Sequence, residues 1–82
     1  MTEQEIELSG SFESPESSTI AGASYDASTE TLTIRFRRAK GESTYGYQGI
    51  PPRIWQDFLD APSKGQFFAG RIRPIYDGKK LD

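Results

Sequence analysis

Cysteine and histidine are both missing from this chain of 82 residues, and methionine and tryptophan occur once each. Without thiols there is neither a disulfide nor a thiolate metal site to reinforce a fold. The commonest general base and the nucleophilic thiolate are gone too, which leaves catalysis little to work with. No apolar run approaches the ~20 residues of a membrane span. A signal peptide is not expected, because Glu3, Glu5 and Glu7 stand where its basic region would be and no apolar segment follows. Basic residues are absent from the first 34 positions, which hold seven acids. These absences lead to an expectation of one small, soluble, cytoplasmic domain with no cofactor and no metal.

What is there is distributed unevenly. All ten Lys and Arg lie between Arg35 and Lys80, against four acids in that span, Glu42, Asp57, Asp60 and Asp77. The near-neutral total of -2 therefore hides a cationic region of +6 behind an acidic leader, and a cationic surface usually seeks an anion. Residues 1–16 contain Gly and Pro breakers, several Ser and only scattered apolar side chains, so they read as a disordered leader. Ile6, Leu8 and Phe12 leave room for a docking motif or an edge strand there. On the disordered reading, removing Met1 to Ser14 should leave the folded core intact.

Strand signals begin at Ser18. From Ser18 to Tyr25 the chain is small and β-compatible, with Thr19, Ala21, Ala23 and Tyr25 on one side and Ile20, Gly22 and Ser24 on the other. After a turn at Asp26 to Glu30, Leu32, Ile34 and Phe36 alternate strictly with polar neighbours, the pattern of a strand with one buried and one wet face. A Gly-containing hairpin at Arg38 to Glu42 leads to a third strand, Ser43 to Gly49. Pro51-Pro52 then opens a helix, and Ile54, Trp55, Phe58 and Leu59 form its apolar stripe. Ser63-x-x-Gln66 has the form of a capping box for a second, shorter helix bearing Phe67, Phe68 and Ile72. The expectation is an α+β fold, a three-stranded antiparallel meander followed by two short helices (β-β-β-α-α). Leu32, Ile34, Phe36, Ile54, Trp55, Phe58, Leu59 and Phe68 are its expected core.

The motifs Leu32-x-Ile34-x-Phe36, Tyr45-x-Tyr47-x-Gly49-Ile50-Pro51, Ala61-x-Ser63-Lys64-Gly65-x-Phe67-Phe68 and Ile72-Arg73-x-x-Tyr76 resemble the KTSC domain in order and spacing. With Ser18-x-Ile20 and Tyr25-Asp26, the resemblance spans nearly everything after the leader, the stretch 17–82. That family is named for its occurrence at the C-terminus of some lysyl-tRNA synthetases and also occurs as free-standing short proteins in bacteria and phages. The resemblance implies the meander and two short helices, and RNA binding by association with a synthetase.

Enzyme activity is not expected. Asp57 and Asp60 share a helix face but read as a solvated surface, and Ser63 beside Lys64 lacks a Ser-x-x-Lys pattern. Anion binding has more support. A helix opening at Ser63 would offer free N–H groups, the Ser63 hydroxyl and the Lys64 ammonium, with Gly65 permitting close approach or simply making room for packing. Arg71 lies two helical turns beyond Lys64, near Arg73. Arg35 and Arg37 should project from the wet face of the sheet, where Arg38 and Lys40 could join them in a basic platform. Tyr45 and Tyr47 would either stack on unpaired bases from that face or pack inward under Trp55. The expected function is a non-catalytic module contacting RNA or single-stranded nucleic acid phosphates. The alternative is a protein-interaction module that docks on a larger cellular machine.

Overall fold

Leu32, Ile34 and Phe36 do line the buried face of one strand, β3 (Thr31–Arg38), in the computed structural model, which describes residues 9–82. Two strands flank it on each side. β1 (Gly10–Glu13), β2 (Ile20–Asp26), β3, β4 (Gly41–Gln48) and β5 (Gly78–Lys80) form a five-stranded sheet in sequence order, with every neighbouring pair antiparallel. Between β4 and β5 come helix α1 (Pro52–Asp60) and helix α2 (Lys64–Phe67), the latter continuing into a wide π-helical turn over Phe68–Ile72. The α+β class is as expected, but the sheet has five strands where three were expected. No helix among the described residues is long and apolar enough to cross a membrane.

The two added strands have little sequence signal. β5 is Gly-Lys-Lys, with all three residues on the exposed surface, and is held by pairing with β4 from Tyr45 to Tyr47. β1 lies inside the stretch expected to be a disordered leader. Its pairing with β2, from Gly10 opposite Tyr25 to Glu13 opposite Gly22, needs only backbone groups. Phe12 then anchors it to the helix: its ring lies 5.7 Å from that of Trp55, stacked at 20°, and 5.2 Å edge-on from Phe58. Ile6 and Leu8 lie outside the described residues.

β2 departs from simple alternation. Ile20 pairs with Phe36 but Gly22 pairs with Arg35, so Ala21 is an extra residue, a β-bulge. The bulge turns Ile20 into the core beside Ala23 and Tyr25, whereas strict alternation would place it on the wet face. Trp55 on α1 is then sandwiched, with Phe12 on one side and Tyr25, 5.3 Å away at 15°, on the other. The Tyr25 hydroxyl donates to the carbonyl of Ile50, fixing the chain just before α1 begins. Six of the eight expected core residues are buried, while Ile54 and Leu59 are partly covered. Ile20, Tyr25, Tyr47, Ile50 and Ile72 join them.

Loss of the Phe12 ring should therefore weaken the whole domain. Phe12→Ala is expected to destabilise it by about 2–3 kcal/mol, the low end for a large core ring because Phe12 is only half-buried. A chain lacking residues 1–14 should melt lower still, since it also loses the β1 pairing and the buried Ser14. Thermal unfolding followed by circular dichroism decides it, and an unchanged midpoint for the shortened chain would restore the dispensable leader.

Candidate nucleic-acid interface

The face of the sheet away from the helices presents no uncommitted arginine of β3. Arg35 and Arg37 do project from it, as alternation requires, but both are spent on the protein itself. Arg35 bridges Glu13 at 2.6 Å and Glu42 at 3.4 Å. To reach Glu13 it lies across Gly22, where a Cβ would collide with the guanidinium and stand 2.8 Å from the Phe12 carbonyl, so only glycine fits. Arg37 donates to the carbonyls of Ser17 (2.9 Å) and Ser14 (3.1 Å), binding down the β1–β2 loop. The central row of this face reads Ser11, Ser24, Thr33, Gly46, Lys79. The strand aromatics Phe12, Tyr25, Phe36, Tyr45 and Tyr47 all belong to the core or pack against it. Tyr45 and Tyr47 therefore do not stack from the wet face. Opposite Ile34 and Leu32 in the register, they take the inward reading.

Ser63 caps α2 as expected, accepting the Gln66 N–H at 3.3 Å. Lys64 is placed differently from the phosphate-contacting role considered for it. Its ammonium donates to the carbonyls of Leu59 and Ala61, each at 2.8 Å, and lies 5.2 Å from the centre of the Phe12 ring. It is a cap on the C-terminus of α1, where the free carbonyls and the negative end of the helix dipole attract a cation. Gly65 faces Thr19, and a Cβ there would stand 3.7 Å from that side chain, an ordinary contact, so packing does not demand glycine. The cleft beside Ser63, Lys64 and Gly65 is also lined by Glu13 and Glu16, which oppose an anion. Arg71 leans over the Phe67 ring at 5.2 Å and faces Asp57 at 3.8 Å. The wide turn after Phe67, closed by the Arg73 N–H on the Phe68 carbonyl at 2.9 Å, replaces the regular helix that would have aligned Lys64 with Arg71.

That turn brings Arg73 to a second cleft of about 360 Å³, lined by Thr19, Phe36, Arg38, Tyr45, Tyr47, Gly65, Phe68, Ala69 and Arg73. Arg38 follows the parity of Leu32, Ile34 and Phe36, so it shares the helix-covered face rather than the wet one. Its guanidinium sits 5.5 Å from the Phe36 ring centre and donates to the Ser43 hydroxyl at 3.3 Å. Burial pushes the Tyr47 phenol above its ordinary pKa, Tyr45 adds to the rise, and Arg73 and Arg38 oppose it. Both guanidinium groups thus act on the same hydroxyl. Lys80 pairs opposite Tyr45 and shares its face, and Lys40 lies at the hairpin tip beyond Arg38. Of the residues expected at a site, Gly65, Arg73, Tyr45 and Tyr47 meet here; Ser63 and Lys64 line the neighbouring cleft, and Arg35 and Arg37 occupy the opposite face. Arg38 belongs to the cleft, and strand parity alone could have placed it there. Among the described residues no cluster of three or more His, Cys, Asp or Glu could hold a metal.

Residues 16–76 match the KTSC domain. The chain belongs to the KTSC domain family. A KTSC domain protein from Yersinia pestis is similar in structure, with a TM-score of 0.77 at 36% identity, covering 90% of this chain and 99% of that one. A protein of Tsukamurella paurometabola is 41% identical over 61 residues, 74% of this chain and 87% of its own length. The lysine–tRNA ligase of Nostoc punctiforme is 46% identical over 67 residues, which is 82% of this chain but 11% of the ligase.

Two measurements check this assignment of roles. Lys64→Met keeps the packed stem but removes the cap, and should lower stability by about 1–2 kcal/mol in chemical denaturation. Tyr25, like Tyr47, has its pKa raised chiefly by burial, so both phenols hold their protons more tightly in the fold than in the unfolded chain. Stability from this source is fully present below the ordinary phenol value of about 10 and is lost as pH rises through the raised folded values. The melting temperature should therefore fall as the pH rises above about 10; a melting temperature that stays level well above that pH would contradict it.

Proposed function

We propose that this KTSC domain is a small non-catalytic binding module that contacts the phosphates of RNA or single-stranded nucleic acid through the rim formed by Arg38 and Arg73, with Lys40 and Lys80 beside them. The observation that carries this reading is the pair of arginines at one cleft. Both are exposed, and neither faces a carboxylate among the described residues, in contrast to Arg35 and Arg71. A guanidinium with no carboxylate to neutralise it, near others of the same sign, gains most from a phosphate. The likeness to a segment of lysine–tRNA ligase supports the reading, since that enzyme by its name acts on a tRNA.

Docking on a protein is the second reading. It draws on Ile75 and Leu81, 66% and 56% exposed, which border a hollow with Gly46, Gln48 and Tyr76. Trp55 and Phe68, which would have favoured docking had they been exposed, are buried.

Titration of labelled single-stranded and structured RNA at two salt concentrations separates the readings, because phosphate-driven binding weakens steeply with salt. Replacing Arg38 and Arg73 together by Ala should weaken binding to all sequences alike and flatten the salt slope by about 1–2 units. Lys64→Met should leave that slope unchanged. Wild-type protein that binds no RNA even at low salt would overturn the proposal.

A further inference from the structure

Beyond a basic rim, the cleft contains a group that the fold leaves unused. Tyr47 is only 5% exposed, yet among the described residues no hydrogen bond reaches its hydroxyl. Its oxygen is not sealed in, because the described residues include no fully buried polar side-chain atom without a partner. The Tyr47 ring is fixed, 5.6 Å edge-on from Phe68 and pressed against Gly78 of β5, where a Cβ would stand 2.5 Å from the ring. A nearly buried phenol held rigidly, with its donor free and lining the same cleft as two guanidinium groups, is a preorganised hydrogen-bonding site for an anion. Such a donor is usually satisfied within the protein.

We propose that the cleft receives one unpaired nucleotide, its phosphate held by Arg38, Arg73 and the Tyr47 hydroxyl and its base against Tyr45. Tyr45 stands at the cleft, half-buried and edge-on to Phe36 at 5.6 Å, so part of its ring remains accessible. The buried Phe36, Phe68 and Tyr47 line the cleft together with Thr19, Gly65 and Ala69. A volume of about 360 Å³ is at the lower end of small-ligand sites, which run from about 300 Å³ upward, and suits one nucleotide unit rather than a duplex groove. Base stacking on an aromatic tolerates any sequence, while the phosphate supplies the charge that the arginines require. This inference deepens the proposed nucleic-acid reading and rests on it.

The test uses Tyr47→Phe, which keeps the ring and removes only the hydroxyl. Binding is measured for a short single-stranded oligoadenylate, the same strand annealed to its complement, and a polyglutamate peptide. The wild type should prefer the single strand over the duplex by at least about tenfold. Tyr47→Phe should weaken single-strand binding about tenfold, the usual loss for a hydrogen bond to a charged group, with the melting temperature unchanged. Ala69→Glu, at an exposed position on the cleft wall, should abolish single-strand binding without disturbing the core, and so provides an independent test if Tyr47→Phe proves unstable. If the double arginine variant loses binding while Tyr47→Phe and Ala69→Glu bind normally, the single-nucleotide inference fails and the rim reading survives. Polyglutamate captured through the same arginines, with no nucleic acid bound, would overturn both in favour of an acidic protein partner.

Discussion

The stack of Phe12, Trp55 and Tyr25 sets the position of the whole chain beyond β4. Helix α1 has nine residues, no side-chain N-cap and no basic residue in its last turn, so it would not hold together alone. Trp55, gripped between two rings from neighbouring strands, fixes it to the sheet. The grip closes on itself. Phe12 is held by the β1 pairing and lies under the Lys64 ammonium, and Lys64 in turn caps the carbonyls at the end of α1. A single strand, helix and cation each depend on the other two.

With α1 held there, the remaining chain has few choices. Ser63 opens α2, and Phe67 stacks on Phe58 at 5.4 Å. The widened turn then lets Phe68 and Ile72 both reach the core. Phe68 meets Phe36 edge-on at 5.0 Å and Tyr47 at 5.6 Å. A regular helix advances about 100° per residue; the extra residue in the turn rotates the segment beyond it, and Arg73 arrives beside Arg38 rather than in line with Lys64. π-Helical turns of this kind are often found at functional sites, and here the turn has an evident consequence: it completes the rim of the cleft.

Which of these features were readable from the sequence depends on where their energy lies. Leu32, Ile34 and Phe36 announce β3 because burial on one face imposes period two. Pro51-Pro52 and Ser63 announce helix starts because they act through local backbone groups. β5 was hidden, and β1 was only hinted at by Phe12, because edge strands of three or four residues rest on pairing with a neighbour that the local sequence does not name. The Ala21 bulge and the wide turn were hidden for the same reason, since both are imposed by the core they serve. Lys64 could have been anticipated: Leu59 and Ala61 stand five and three residues before it, and Ala61-Pro62 ends a helix there.

The charge pattern makes the same point about function. A leader of acids and a domain of bases suggested two separate bodies, but the fold interleaves them. Glu13 of β1 neutralises Arg35, and the loop carbonyls of Ser14 and Ser17 take Arg37. Lys64 serves α1, and Arg71 faces Asp57. Internal demand of this kind engages cations wherever a carbonyl or carboxylate lies within reach, and on the sheet face it occupies both Arg35 and Arg37 of β3. Arg38, over the Phe36 ring at the hairpin end, and Arg73, which the widened turn brings to the same cleft, face no carboxylate among the described residues. Counting charges in a sequence therefore overstates a binding surface, and subtracting those the fold itself uses locates one.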